Sequence, residues 1–397
     1  MKITPWGLVA RFINLFYSVK PHHWVFGADY GNMYREGSKY LLEYMLREHP
    51  EYKCTFITKN KNVYNTLKNN GIPCEMNLSI RGICTIARAE CIFTTQTTSD
   101  LHFAYKKEGR KFYYLVHGMP LKIAQRALSQ MQIWHKWHKK RNILLKVKDK
   151  LSGYLNAGYT MDDVSFVSST SDFLVPYMQK DFGESMRVKV LGMPRNDALF
   201  QSERMAKERW INGLEGKLVI TYMPTHRAYG LGEVTPTPFV KRPDVQAWMK
   251  ENNVVLLMKN HPNMIPKLKD VKDMEVIKDI TKLRLDPQVC LYHSDAIITD
   301  FSSVWMDYLL LERPILFYIY DDFEHADVGT HYDIRQDPPG HFCYTEDELF
   351  GLIKKIRFSY GEMKPSKRIV HKYHKYIDGK SCERYFDEIN KDLNNLR

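Results

Sequence analysis

Short apolar runs alternate with amphipathic stretches along most of this chain. In the first half the runs predict strands over 24–28, 52–58, 90–94 and 111–116, with helices over 37–49, 62–70 and 80–88. Beyond residue 160, strands over 164–168 and 187–191 flank a helix over 171–182. A second series places strands over 218–222, 254–258, 275–277, 296–299 and 315–318, with an apolar helix from Ser302 through Leu311. Strand-then-helix order of this kind predicts mostly parallel sheets with helices on both faces. The series join near Gly192-Met193-Pro194-Arg195, followed by a charged polar helix through Glu208. The expected architecture is α/β, with two doubly wound Rossmann-like domains facing a central cleft. An N-terminal segment over 1–20 leads into domains over 21–195 and 196–397, the first carrying a basic insert over 121–160. In open sheets of this type ligands bind beyond the carboxyl ends of the strands.

Composition fits that scheme and adds one fact, a formal net charge of +12. Such an excess implies an anionic partner: a phosphate-bearing substrate, an acidic lipid surface or nucleic acid. The seven cysteines are spread widely without a C-x-x-C, which suits free thiols in a reducing compartment. No stretch reaches the roughly 18 uninterrupted apolar residues of a membrane span, and Arg11 interrupts the N-terminal apolar region that a secretory signal would need.

Two segments carry basic and aromatic residues together. Over 5–18, Trp6, Val9, Ala10, Ile13, Phe16 and Tyr17 recur at helical spacing, while Arg11, Asn14 and Ser18 fall elsewhere. An interfacial helix has this pattern, and so does a helix packed on its own domain. Residues 121–150 hold nine Lys or Arg and one acid, with Trp134 and Trp137 inside the run. Each base near an anionic leaflet contributes about 1 kcal/mol, so Trp134, Trp137, Lys139 and Lys140 are candidate membrane contacts. A solvated helical hairpin is the alternative. The usual nucleic-acid-binding signatures are missing, so nucleic acid is not an expected partner.

Three strand ends collect groups able to hold phosphate. Thr225-His226-Arg227 follows 218–222, Lys259-Asn260-His261-Pro262 follows 254–258, and Asp300-Phe301-Ser302-Ser303 follows 296–299. Arg227 offers a planar fork, Lys259 a point charge and His261 an imidazole for a phosphate oxygen. Ser302 and Ser303 open a helix, where free backbone N–H groups favour anions, although simple capping needs serine too. In the first half, His117-Gly118-Met119-Pro120 follows 111–116. A sharp turn there would present an imidazole able to accept a hydroxyl proton. No zinc, metalloprotease or P-loop pattern occurs, so no metal or cofactor is firmly expected. The Asp321-Asp322 pair leaves Mg²⁺ possible.

These clusters, in this order, resemble the CDP-glycerol glycerophosphotransferase family of teichoic acid and capsule synthesis. The resemblance runs through His117-Gly118-Met119-Pro120-Leu121-Lys122, Gly192-Met193-Pro194-Arg195-Asn196-Asp197, Pro224-Thr225-His226-Arg227 and Lys259-Asn260-His261-Pro262. It continues through Ser294-Asp295-Ala296-Ile297-Ile298-Thr299-Asp300-Phe301-Ser302-Ser303, Arg313-Pro314-Ile315-Leu316-Phe317-Tyr318 and Asp378-Gly379-Lys380, covering roughly residues 23–390. It implies a GT-B arrangement, CDP-glycerol as donor, an undecaprenyl-diphosphate-linked saccharide as acceptor, and peripheral attachment at the cytoplasmic face of the bacterial membrane. By the same resemblance His117 is the base and His261 a catalytic phosphate-binding histidine. Arg227, Ser302 and Ser303 are its donor-phosphate contacts, and the strand-end clusters add Lys259 and Asp300 to that site. The acceptor hydroxyl would attack the glycerol-bearing phosphorus and release CMP, with catalysis mostly by positioning and charge stabilisation.

Three departures bear on the donor polyol and the acceptor. Met119 stands where the family usually has threonine, His226 replaces a usual tryptophan, and the loop over 322–332 differs from the usual pattern. The chain length favours a primase-like enzyme adding one or few units. A polymerase, a ribitol-phosphate transferase of the same family and a GT-B nucleotide-sugar glycosyltransferase are the alternatives.

Overall fold

The computed structural model of the protein describes residues 5–96, 98–102, 104–123, 159–208, 210–225, 237–260, 275–321 and 329–395. One compact unit holds Met1–His117, Gln125–Asp197 and Lys380–Arg397, and a second holds Gly118–Ala124 and Ala198–Gly379. Where sequence suggests a single boundary near residue 195, the chain crosses at 197/198 and also at 117/118, 124/125 and 379/380.

In the first unit, α1 (Pro5–Phe16) is followed by β1 (Lys20–Phe26), α2 (Glu36–Glu48), β2 (Lys53–Thr58), α3 (Lys61–Asn69) and β3 (Cys74–Met76). Then come α4 (Ile80–Arg88), β4 (Ala89–Thr94) and β5 (Lys111–Tyr114). The five strands form a parallel sheet of order β3-β2-β1-β4-β5, which reverses direction between β1 and β4. Beyond it lie β6 (Val167–Ser169), α5 (Val175–Phe182) and β7 (Val188–Val190), and Phe112 bridges Val164 in parallel. Every residue of β4 is buried, as expected for a strand covered on both faces. Register sets Phe26 opposite Phe93 and Phe93 opposite Tyr113. The three rings therefore stack at centroid distances of 4.5 and 5.2 Å. Burial of a ring of this size contributes about 1.5–3 kcal/mol, and pairing adds about 0.5–1.5 kcal/mol.

The second unit runs α6 (Ser202–Lys207), β8 (Leu218–Tyr222), α7 (Pro243–Glu251), β9 (Val254–Met258), β10 (Ile277–Asp279) and α8 (Pro287–His293). It continues with β11 (Ala296–Thr299), α9 (Val304–Leu309), β12 (Ile315–Tyr318), β13 (His341–Cys343), α10 (Glu346–Phe358) and α11 (Lys367–Tyr373). Its sheet is again parallel, in the order β10-β9-β8-β11-β12-β13. Counted within the unit this is 3-2-1-4-5-6, the doubly wound order, with its switch point between β8 and β11. The central strands lie where the apolar runs predict them. The helix expected through Leu311 is shorter, because turns take over after Leu309.

The last helix, α12 (Ser381–Asn394), belongs to the first unit. Asp197 accepts from the Ser381 and Cys382 N–H groups at 2.8 and 2.7 Å, satisfying donors at the helix start. Tyr385, Ile389 and Leu393 enter the first unit's core. Asp392 is held by Tyr113 Oη at 3.2 Å and Arg187 at 2.8 Å.

Candidate active site

His117 follows β5 in the first unit, with Thr95 at the end of β4 beside it. Asp100 braces this edge from within. Its buried carboxylate accepts the backbone N–H groups of Tyr30, Thr95 and Gln96 at 2.7, 2.7 and 3.0 Å, tying the turn after β1 to the end of β4. Arg195, also buried, donates to the His117 carbonyl at 2.6 Å and to Glu36 Oε2 at 2.7 Å. One guanidinium thus fixes the backbone of His117 and gains a carboxylate partner. Tyr114 Oη lies 3.4 Å from His117 Nδ1. With the ring proton on Nδ1 and donated to that oxygen, the Nε2 lone pair is free to accept a proton.

The imidazole is accessible to solvent at its surface while protein crowds it on the remaining sides. Burial lowers its pKa below the ordinary histidine value; Glu36 opposes this, Arg195 adds to it, and Thr95 and Asp100 oppose it. The net direction favours the neutral ring, the form that can act as a base. Of these neighbours, Arg195 lies in a segment that sequence singles out. Glu36, Tyr114 and Asp100 carry no motif, and only folding brings them to His117.

In the second unit the switch point gathers three of the expected strand ends. Thr225, beyond β8, is held through its N–H by Asp300 Oδ1 at 2.8 Å, beyond β11. Asp300 is buried, and this bond makes it an anchor for the Thr225 backbone. Ser302 Oγ accepts from Val304 N–H at 3.5 Å, a capping contact. Ser303 lies against Gly118, where a β-carbon would stand 2.6 Å from Ser303 Oγ. Lys259 follows β9; its N–H donates to Tyr222 O, and its charge reaches the buried Cys290 thiol on α8. Asn260, beside it, is buried, and its Nδ2 has no hydrogen-bond partner among the described residues. Met119, the departure next to His117, is buried as an apolar residue.

Arg227, His226 and His261 lie outside the described residues, as do Trp134, Trp137, Lys139 and Lys140 of the basic insert. Asp321 is described and Asp322 is not. Among the described residues no group of three His, Cys, Asp or Glu side chains is arranged to hold a metal ion. None of the described helices is long and apolar enough to cross a membrane.

The apolar positions of α1 divide between two faces. Ala10 and Ile13 pack on Ile83 and Tyr105, while Trp6, Val9 and Phe16 point outward with Leu8, Phe12 and Leu15. Leu8, Phe12, Leu15 and Phe16 are 59–78% exposed. Leu78 and Ile80, at the start of the neighbouring α4, are exposed as well. Lys107 closes the helix end by donating to the carbonyls of Asn14 and Tyr17, and Arg88 lies 4.3 Å over the Tyr17 ring.

Two parallel sheets, one with a held histidine at its strand-end edge and the other with phosphate-competent groups at its switch point, suit a nucleotide-dependent transferase. The sequence profile of CDP-glycerol:poly(glycerophosphate) glycerophosphotransferases matches residues 9–391. The chain belongs to this family. It is 26% identical over 390 residues to a teichoic acid glycerol-phosphate transferase of Staphylococcus aureus, covering 92% of each protein. It is 25% identical to a teichoic acid poly(glycerol phosphate) polymerase of Bacillus subtilis, of which it spans 43%. Among solved structures, the wall teichoic acid polymerase TagF superposes with a TM-score of 0.74 at 22% identity, covering 98% of this chain and 94% of that one. That likeness shows the GT-B-like α/β fold. This glycerophosphotransferase therefore has its family's reaction class, with CDP-glycerol as the family's donor.

Proposed function

We propose that this glycerophosphotransferase moves glycerol phosphate from CDP-glycerol to a hydroxyl of an undecaprenyl-diphosphate-linked glycan, in synthesis of teichoic acid or a related surface polymer, and adds one or few units. The observation that carries this reading is the match to the S. aureus glycerol-phosphate transferase along 92% of both chains. In the proposed step His117 Nε2 accepts the acceptor's hydroxyl proton. The freed oxygen bonds to the glycerol-bearing phosphorus as the bond to the bridging oxygen breaks, and CMP leaves with that electron pair. His261, Arg227, Lys259 and the Ser302 and Ser303 hydroxyls hold the donor phosphates, while Asp300 supports the site through Thr225. Charge stabilisation and alignment supply most of the rate.

The acceptor reading requires work at a lipid surface, at the cytoplasmic face of the membrane. Support comes from the exposed apolar face of α1 and from the basic insert with Trp134, Trp137, Lys139 and Lys140. Mass spectrometry of the product on a defined lipid-linked disaccharide tests the proposal. One or a few glycerol phosphates from CDP-glycerol are expected. A long ladder would make the enzyme a polymerase, and product from CDP-ribitol alone would replace the polyol.

A further inference from the structure

Lys122 reads from sequence as the first base of the insert. The fold separates it from that run, because residues Gly118–Ala124 belong to the second unit. Leu121 O accepts from His331 N–H at 2.8 Å, and Ile123 N–H donates to Gly329 O at 3.3 Å. Lys122 is thereby paired with Thr330 in an antiparallel bridge. Side chains alternate along an extended segment, so Leu121 turns into the protein, where it is buried, and Lys122 takes the other face. From there the Lys122 ammonium donates to Thr225 Oγ1 at 3.4 Å. Thr225 is the residue that Asp300 holds at the β8/β11 switch point. At the other end of the same segment, Gly118 lies against Ser303.

We propose that Lys122 is a donor-site residue whose ammonium binds the outer phosphoryl group of the CDP-linked donor, the group that is transferred. The switch point of a doubly wound sheet is where a nucleotide's phosphates sit, and a lysine hydrogen-bonded to a threonine there is a mobile point charge within reach of them. Assignment to the outer group follows from the chain itself. Lys122 lies five residues after His117, which the proposed reaction requires beside the attacked phosphorus. Lys122 then stabilises the charge that builds on the equatorial oxygens as the new bond forms and CMP departs. This inference rests on the CDP-donor reading.

The backbone bonds of Leu121 and Ile123 hold the segment without the lysine side chain, so Lys122→Met should fold. Equilibrium titration of the full chain with CDP and with CMP tests the role, with Lys122→Met and Lys122→Arg measured beside the wild type. Loss of a hydrogen bond to a charged group weakens binding by about tenfold to a hundredfold. Lys122→Met is expected to lose that factor for CDP and to bind CMP within about twofold of wild type, a span well inside one such bond. Lys122→Arg should recover most of the CDP affinity. Unchanged CDP affinity in Lys122→Met would overturn the proposal, as would an equal loss for CMP. Failure of the wild type to bind either nucleotide would refute the donor reading itself, and Lys122 with it.

Discussion

A β-carbon on Gly118 would stand 2.6 Å from Ser303 Oγ. Real β-carbons do not come that close to a neighbour, so a side chain at residue 118 fits only if the Ser303 hydroxyl turns away from it. Gly118→Ala should turn the Ser303 hydroxyl out of its place at a cost of about 0.5–1.5 kcal/mol, and kcat/KM for the donor should fall by up to about an order of magnitude. Ser303→Ala in the same chain removes the atom in the way. The double variant should therefore be less impaired than the two single losses multiplied, and simple additivity would speak against the contact.

His117→Ala should lower kcat by about 10²–10⁴, the usual contribution of a general base. The acid limb of the pH profile carries a sharper expectation. Because burial lowers the His117 pKa, the neutral ring persists below the ordinary histidine value of about 6.5, and activity should fall only beneath it. Arg195 lowers that pKa and Glu36 raises it. Arg195→Met should move the limb to higher pH and Glu36→Gln to lower pH. Shifts of the same sign in both variants would contradict this account of the site.

The outward face of α1 predicts vesicle binding. Replacing Leu8, Phe12, Leu15 and Phe16 together by serine removes about 1.5–3 kcal/mol of burial per side chain. Flotation with phosphatidylglycerol vesicles should fall well below wild type in this variant, which keeps the basic insert, while CMP release with a water-soluble acceptor is unchanged. Ala10 and Ile13, which pack inward, are left alone so that the helix stays docked. Wild-type flotation by the variant would show that α1 does not insert.

Stability of the first unit should depend on Asp197. Asp197→Ala removes the acceptor for the Ser381 and Cys382 N–H groups, at a cost of about 1–3 kcal/mol for donors left buried. Urea unfolding should show a lower midpoint with an unchanged slope.

Much of this protein was legible along the chain. β8, β9, β11 and β12 are apolar runs with polar clusters just after them, and burial on both faces makes such strands easy to read. The three-residue strands β3 and β13 have too few positions to show a period, and β1 begins four residues before its buried part. Return of α12 to the first unit depends on Asp197 and on Tyr113 with Asp392, contacts between residues far apart in sequence. The same limit applies to the site. His117, Asp300 and Ser303 stand out through their motifs, whereas Glu36, Tyr114 and Asp100 acquire meaning only in three dimensions. Lys122 is one of nine bases in its run along the chain, and only the fold pairs it with Thr330 and sets it beside Thr225.

The most direct measurement is nucleotide release by the wild type and His117→Ala from CDP-glycerol and a synthetic undecaprenyl-diphosphate-linked disaccharide. CMP is expected in step with glycerol phosphate on the acceptor, with near-background release by the variant. CDP as the released nucleotide, or UDP from a sugar donor in place of any reaction with CDP-glycerol, would contradict it.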